Sequence, residues 1–263
     1  MKLVKNIAIA LTAAAAFAGA SFGAGADKHP MQMEWEFEGP FGKMDMSSAQ
    51  RGWQVYKQVC SACHSLKYFR FRNLADLGYE EDMIKAWAAE YEVAGEVDDA
   101  GDPTVRAARP EDAFPSPFPN DNAARASNGG ALPPDLSLMA KARHDGPNYI
   151  YSLLVGYEDA PAGRDMPAGK QYNPYFKGGA ISMAPPLAEG IVEYEDGTAA
   201  TPEQMAKDVT NFLMYVAEPK LTARHHMGLK VLLFLGILTI ILYFSMKKIW
   251  KPVKSGKNFY EDK

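Results

Sequence analysis

Cys60, Ser61, Ala62, Cys63 and His64 bring two thiols and an imidazole together within one short stretch. Cysteines three positions apart lie about one helical turn from each other, so both sulfurs can reach one edge of a flat ligand. C-x-x-C-H is the attachment pattern of a c-type haem: the thiols bond covalently to the porphyrin vinyl groups, and the next residue, His64, offers a ring nitrogen to the iron. Two other chemistries use the same residue types. A C-x-x-C pair can be a redox dithiol, and Cys with His can be half of a zinc site. Zinc fails on counting, because the chain has 2 Cys and its other histidines lie far away in sequence. A dithiol site comes with a thioredoxin-like βαβ pattern, and no such pattern is visible. The reading is covalent attachment of one haem c at Cys60 and Cys63, with no disulfide expected.

The iron then needs a sixth ligand, whose identity sets the redox chemistry, since a Met thioether opposite His raises the potential. The chain holds 13 Met. Met205 and Met214 fall in a helical apolar pattern, Met83 and Met139 in apolar helical contexts, and Met227 and Met246 in or beside a long apolar run. Two remain in loops stiffened by proline, Met166 before Pro167 and Met183 before Ala184-Pro185-Pro186. Local context leaves both open. His144, His225 and His226 are the bis-histidine alternatives.

Helices must position these groups. Ser47 and Gln50 form a capping-box pair, and Ala49, Gly52, Trp53, Tyr56, Val59, Cys60 and Cys63 recur at i, i+3, i+4, i+7 spacing. The apolar stripe of this helix leads into the haem cysteines. A second helix is expected from Thr201 as cap, with Pro202 in the first turn and Gln204 closing another box; Met205, Val209, Phe212, Leu213 and Val216 form its stripe, and Glu218-Pro219 ends it. Gly52 would let the two backbones approach closely. Residues 136–143 and 149–155 read as short helices, and 95–134, rich in Gly, Pro, Asp and Asn, reads as loop. Strand signals are weak, at most a short pair near 191–194. The fold class is mainly α: a small helical haem domain with long loop insertions, plus one C-terminal transmembrane helix.

Both ends of the chain bear on compartment. Lys2 and Lys5, the apolar stretch 7–20 and Ala24-Gly25-Ala26 have the layout of a signal peptide over 1–26 rather than a first anchor, giving a mature chain from Asp27. Residues 227–246 are apolar apart from Lys230, long enough to span a bilayer. Lys247, Lys248, Lys251, Lys254 and Lys257 follow, which places a tail at 248–263 in the cytoplasm, a transmembrane helix at 225–247 and the body outside. The body, residues 27–224, carries 19 Lys and Arg against 30 Asp and Glu, a net charge of −11. Much of the acid clusters between Glu80 and Asp112. That is a solvated face or a surface that steers a basic soluble partner, and it excludes nucleic acid.

Several stretches together resemble the cytochrome c1 family: RGWQVYKQVCSACHSL, NGGALPPDLSLMAKARHDGPNYIYSLLVGY, YNPYFKGGAISMAPPL, DGTAATPEQMAKDVTNFLMYVAEP and the MGLKVLLFLG anchor. The similarity runs from about residue 37 to the end of the apolar span and is weakest over 90–109. It implies that the haem domain is class I cytochrome c-like, that Cys60 and Cys63 carry the thioethers, that His64 is the proximal ligand and that Met183 is the axial methionine. It also implies that Arg143 meets a haem propionate and that Tyr149, Asn128 and Pro134 line the pocket. The implied role is one-electron relay in the bc1 complex (ubiquinol–cytochrome c oxidoreductase), respiratory or photosynthetic. The chain is expected to be no enzyme by itself. It would take an electron from the Rieske iron–sulfur protein and pass it to a basic soluble c-type cytochrome. Cytochrome b and membrane lipid would be its other neighbours, in a dimeric complex at the bacterial inner membrane with the haem domain in the periplasm. Alternatives are a free-standing membrane-anchored cytochrome c serving an oxidase, a haem enzyme with an open distal site such as a peroxidase, and a thiol oxidoreductase.

Overall fold

Asp45 starts the first helix, α1 (Met46–Gln58): its extended backbone and its carboxylate, which accepts from the amide of Ser48 at 3.0 Å, satisfy one of the free N–H groups of the first turn. The expected Ser47 cap is corrected, because Ser47 already lies inside the helix. The computed structural model describes residues 26–256. The signal peptide expected over 1–26 therefore lies outside the described residues except for its last position, as does the tail beyond 256. Two bodies are present, residues 26–29 with Gly156–Ala184, and Pro30–Val155 with Pro185 onward.

In the larger body the apolar stripe of α1 is buried at Ala49, Gly52, Trp53 and Tyr56. The chain leaves α-geometry at Val59 and tightens into a 3₁₀ turn, Cys60–Ala62, so the cysteines sit just past the helix rather than within it. A second 3₁₀ segment, Phe71–Leu77, leads to α2 (Glu81–Ala89). The expected loop over 95–134 is corrected in two places. Strands β1 (Glu92–Val97) and β2 (Pro103–Ala107) form an antiparallel hairpin with a register shift between Ala94 and Val97. Farther on, Asn120 caps α3 (Asp121–Ser127) by accepting from the amide of Ala123. The helix expected over 136–143 shortens to α4 (Met139–Ala142), while α5 (Gly146–Val155) covers the one expected from 149. No strand pair forms near 191–194.

Thr201 caps α6 (Pro202–Ala217) by accepting from Gln204 N at 3.2 Å, with Pro202 in the first turn. The side chain of Gln204 does not close the expected box; it donates to Asp208 four residues on, at 2.9 Å. Helices α1 and α6 make the most extensive packing in the chain. A Cβ on Gly52 would overlap the backbone carbonyl of Asp208 and come within 2.7 Å of Phe212 Cβ, so glycine permits the crossing. Around it Trp53, Tyr56, Phe69, Phe114 and Phe212 form an aromatic core with ring centroids 5.1–6.2 Å apart; Phe114 meets Trp53 and Tyr56 edge-on, as does Phe69 with Phe212, a geometry that suits the ring quadrupoles.

After Glu218 the chain enters α7 (Leu221–Lys254), whose apolar stretch is unburied within the chain. Mean hydropathy reaches 2.3 over an 18-residue window. The 20 residues from 227 to 246 make about 30 Å of helix, the thickness of a bilayer core. The helix begins before the expected span and continues through its lysines. Its base is tied to the segment that precedes α1: Met44 N donates to Thr222 Oγ1 at 3.0 Å, and His225 Nδ1 lies 2.8 Å from the carbonyl of Gly42. Glu218 pairs with both Lys141 and Arg224.

The smaller body is a looped unit around a short antiparallel pair, β3 (Gln171–Tyr172) with β4 (Ala180–Ile181). Asp27 accepts from Arg164 and from the Tyr172 hydroxyl, and the Arg164 guanidinium lies over the Tyr172 ring. Lys28 pairs with Glu158 at 2.6 Å.

Candidate functional site

The 3₁₀ turn after α1 folds the pentapeptide back on itself: the amides of Cys63 and His64 both donate to the carbonyl of Cys60, at 3.1 and 2.9 Å. Both thiols are free, Cys60 half-buried and Cys63 exposed. Burial, with a smaller contribution from Cys63, pushes the Cys60 thiol up to about 12. That is the reverse of the lowered thiol that a disulfide oxidoreductase needs for attack. Among the described residues no group of three or more His, Cys, Asp or Glu converges as a metal cage, so the zinc reading finds no ligand set.

His64 is half-buried, and its Nδ1 lies 2.8 Å from the carbonyl oxygen of Pro134. A carbonyl can only accept, so Nδ1 carries the proton and Nε2 keeps its lone pair. Burial lowers the pKa of the ring, against opposing contributions from the Pro134 hydrogen bond and Asp135. The outcome is a neutral imidazole in one tautomer with Nε2 available to a metal. The Tyr56 hydroxyl, from the last buried turn of α1, donates to the His64 carbonyl at 2.9 Å. This bond keeps the pentapeptide against the helix that carries it.

A second segment holds the same stretch from the other side. Leu136 N donates to Ser65 O at 2.9 Å, and Tyr68 N to Ser137 Oγ at 3.1 Å. Between them the Asp135 carboxylate accepts from Ser65 Oγ and Lys67 N through Oδ2, and from Ser137 N through Oδ1. Residues 134–137 and 64–68 are thus stitched together although they lie about 70 residues apart. Asp135, Ser65, Ser137 and Tyr56 were not among the expected site residues. Pro134-Asp135-Leu136-Ser137 does carry an Asx-turn signal, Asp followed two residues later by a bonded amide, but its long-range partners leave no local mark.

The remaining expected residues of this body are placed less tightly. Arg143 is exposed at the end of α4, its Nη1 donating to the Ala142 carbonyl at 3.3 Å, and among the described residues no acid forms an ion pair with it. Burial raises the Tyr149 phenol while the neighbouring Arg143 guanidinium works against that rise, so the two side chains stand close together. Asn128 closes α3, its Nδ2 donating to Ala124 O at 2.7 Å. Its side chain is therefore engaged by its own helix.

Met183 belongs to the smaller body, two residues beyond β4, and is half-buried. The Tyr157 hydroxyl donates to its carbonyl at 3.1 Å, which fixes the backbone of a residue that Ala184-Pro185-Pro186 follows. Met166 is also half-buried, in a loop of the same body. Met205 and Met214 are core residues of α6, as their pattern indicated. Of the histidine alternatives, His225 is engaged by Gly42 and His144 is an exposed side chain.

The donor set fits a covalently bound haem: two free thiols on one turn, and an imidazole whose tautomer leaves Nε2 to the iron. Comparison with known proteins agrees. Residues 35–253 match the cytochrome C1 family. The chain is 51% identical to cytochrome c1 of Rhodospirillum rubrum, over 85% of this chain and 88% of that protein. It is 47% identical to the mitochondrial cytochrome c1 haem protein of Saccharomyces cerevisiae, over 87% of this chain and 74% of that one. Against the cytochrome b/c1 protein of Bradyrhizobium diazoefficiens it is 46% identical over 95% of its own length, but spans only 40% of that longer relative. A match over that extent, together with the turn that holds Cys60, Cys63 and His64, means that the chain belongs to the cytochrome C1 family, whose members carry a covalently attached haem c.

Proposed function

We propose that this chain is the electron-transfer subunit of a bc1 complex, carrying one electron at a time from a Rieske iron–sulfur protein to a soluble c-type cytochrome. The observation that carries the proposal is the His64–Pro134 bond, which presents a neutral imidazole beside two free thiols. Haem c, when bound, supplies a one-electron iron couple and needs no bond chemistry on a substrate. The chain's part is to hold it. Cys60 and Cys63 would form the thioethers, and His64 Nε2 and the Met183 thioether would hold the iron, a ligand pair that raises the potential. Arg143, exposed and without an acid partner among the described residues, is suited to a propionate, which a guanidinium can grip bidentately. Tyr149 and Pro134 line the pocket beside it. Asn128 takes part through its backbone loop, since its amide group already closes α3.

The relatives' names support the setting, because one of them is named cytochrome b/c1 and another the catalytic subunit of a cytochrome b-c1 complex. Cytochrome b is accordingly the proposed neighbour of α7, within a dimeric complex. The lysines after residue 246 put that end in the cytoplasm and residues 27–224 in the periplasm of a bacterial inner membrane, behind a signal peptide at 1–26.

The test is a reduced-minus-oxidised visible spectrum of the protein purified from its own membranes in mild detergent. Bands of both c-type and b-type haem are expected. A c-type band alone under conditions that keep quinol oxidation intact would point to a free-standing carrier serving an oxidase. No haem band at all would overturn the haem reading.

A further inference from the structure

We propose that Asp135 is the positioning residue of the proximal histidine: its carboxylate holds the Pro134 carbonyl against His64 Nδ1, and its negative charge at that bond sets the redox poise. The inference rests on the reading of His64 as the iron ligand. A proline carbonyl alone is a loose device, because it fixes one atom of a loop that could pivot. Here the next residue removes the pivot. Asp135 Oδ2 accepts from Ser65 Oγ at 2.8 Å and from Lys67 N at 2.9 Å, the residues that follow His64. Its Oδ1 accepts from Ser137 N at 3.0 Å, and Ser137 Oγ in turn accepts from Tyr68 N at 3.1 Å. Leu136 N adds a backbone bond to Ser65 O at 2.9 Å. The carbonyl that touches the imidazole is thus followed directly by a carboxylate bonded to both segments of the stitch.

An ordinary Asx turn explains only the bond to Ser137. The two bonds of Oδ2 reach across 70 and 68 residues to the haem-attachment stretch, and a local turn has no use for them. The carboxylate also sets a negative field beside the His64–Pro134 bond. The same field favours the oxidised iron, which carries one positive charge more than the reduced iron. Removing the charge should therefore raise the midpoint, and freeing the carboxylate from a donor should lower it.

The test uses the full complex in detergent, with Asp135→Asn and Ser65→Ala, read by redox titration, by the pyridine haemochrome spectrum and by EPR of the oxidised haem. The haemochrome reports whether thioether-bonded haem is present, independently of Asp135. Asp135→Asn should keep the haem and raise the midpoint by at least threefold in the one-electron equilibrium, about 28 mV at 59 mV per decade. Ser65→Ala keeps the charge but removes one donor and should shift the midpoint the other way. Haem retained with midpoint and EPR unchanged in Asp135→Asn overturns the proposal, as do shifts of the same sign in both variants. If Asp135→Asn does not assemble, Ser65→Ala decides alone, and an unchanged or raised midpoint overturns it. A wild-type chain without thioether-bonded haem would instead overturn the reading of His64.

Discussion

The guanidinium of Arg51 grips the carboxylate of Asp208 side-on, Nε to Oδ2 at 2.9 Å and Nη2 to Oδ1 at 3.0 Å, joining α1 to α6. Asp208 is fully buried and also accepts from Ser48 Oγ and Gln204 Nε2, so both of its oxygens are satisfied. The residue after Arg51, Gly52, lets α1 lie against the Asp208 carbonyl. The helix that delivers Cys60 and His64 is therefore set at a fixed angle by a charge pair and a missing side chain.

Replacing Asp208 by Ala leaves Arg51, Ser48 and Gln204 without their shared acceptor. Breaking a buried pair from one side costs about 3–5 kcal/mol. Arg51 keeps some solvent access and a second partner in Asp196, which places the cost at the lower end, about 3 kcal/mol. For a domain of this size the melting temperature should fall by roughly 6–12 °C. Thermal denaturation of the holoprotein measures it, and a drop below 2 °C would show that the network contributes little.

Strong acid should loosen the foot of the β1–β2 hairpin. The Arg106 guanidinium, aided by the Arg109 amide, holds the Asp112 carboxyl down at about 2. The unfolded value is about 3.9, so the pair's contribution is complete above about pH 4 and is lost as pH falls through about 2. Amide hydrogen exchange, corrected for intrinsic rates, should show hairpin protection steady from pH 7 to 4 and falling below it. In Asp112→Asn protection should be lower at pH 7 and flat with pH. Loss of protection between pH 6 and 5 would contradict this assignment.

Salt dependence reports on the acidic face. Glu90, Glu92, Glu96, Asp98, Asp99 and Asp102 are all exposed on or beside the hairpin, in a segment of net charge −11. Screening shortens the reach of such a field from about 30 Å at 0.01 M salt to about 8 Å at 0.15 M. Stopped-flow oxidation by a basic soluble cytochrome should slow at least about threefold over that range. A flat profile would remove steering from the account.

Much of this was legible in the residues themselves. The C-x-x-C-H turn, the cap and stripe of α6, the close approach at Gly52 and the apolar span of α7 rest on local chemistry or on a pattern several turns long. Other features failed for want of tertiary information. Ser47 and Asp45 are both good caps, and the choice went to Asp45 while the neighbouring Ser48 hydroxyl was claimed by Asp208 from another helix. The Gly and Asp content of 95–107 suggested loop, yet the hairpin closes through an Asp98 turn with Gly101 in the left-handed region, φ 87°. Asp135 could not be singled out because what makes it distinctive lies about 70 residues away.

The ligand assignment is tested most directly by Met183→Leu, followed in a potentiometric titration beside the wild type. Loss of the thioether should leave the covalent haem in place, since Cys60 and Cys63 are untouched, and lower the midpoint by at least about 100 mV, a fraction of the range that axial ligands command. Haem retained at an unchanged midpoint would contradict Met183 as the sixth ligand and return the choice to Met166.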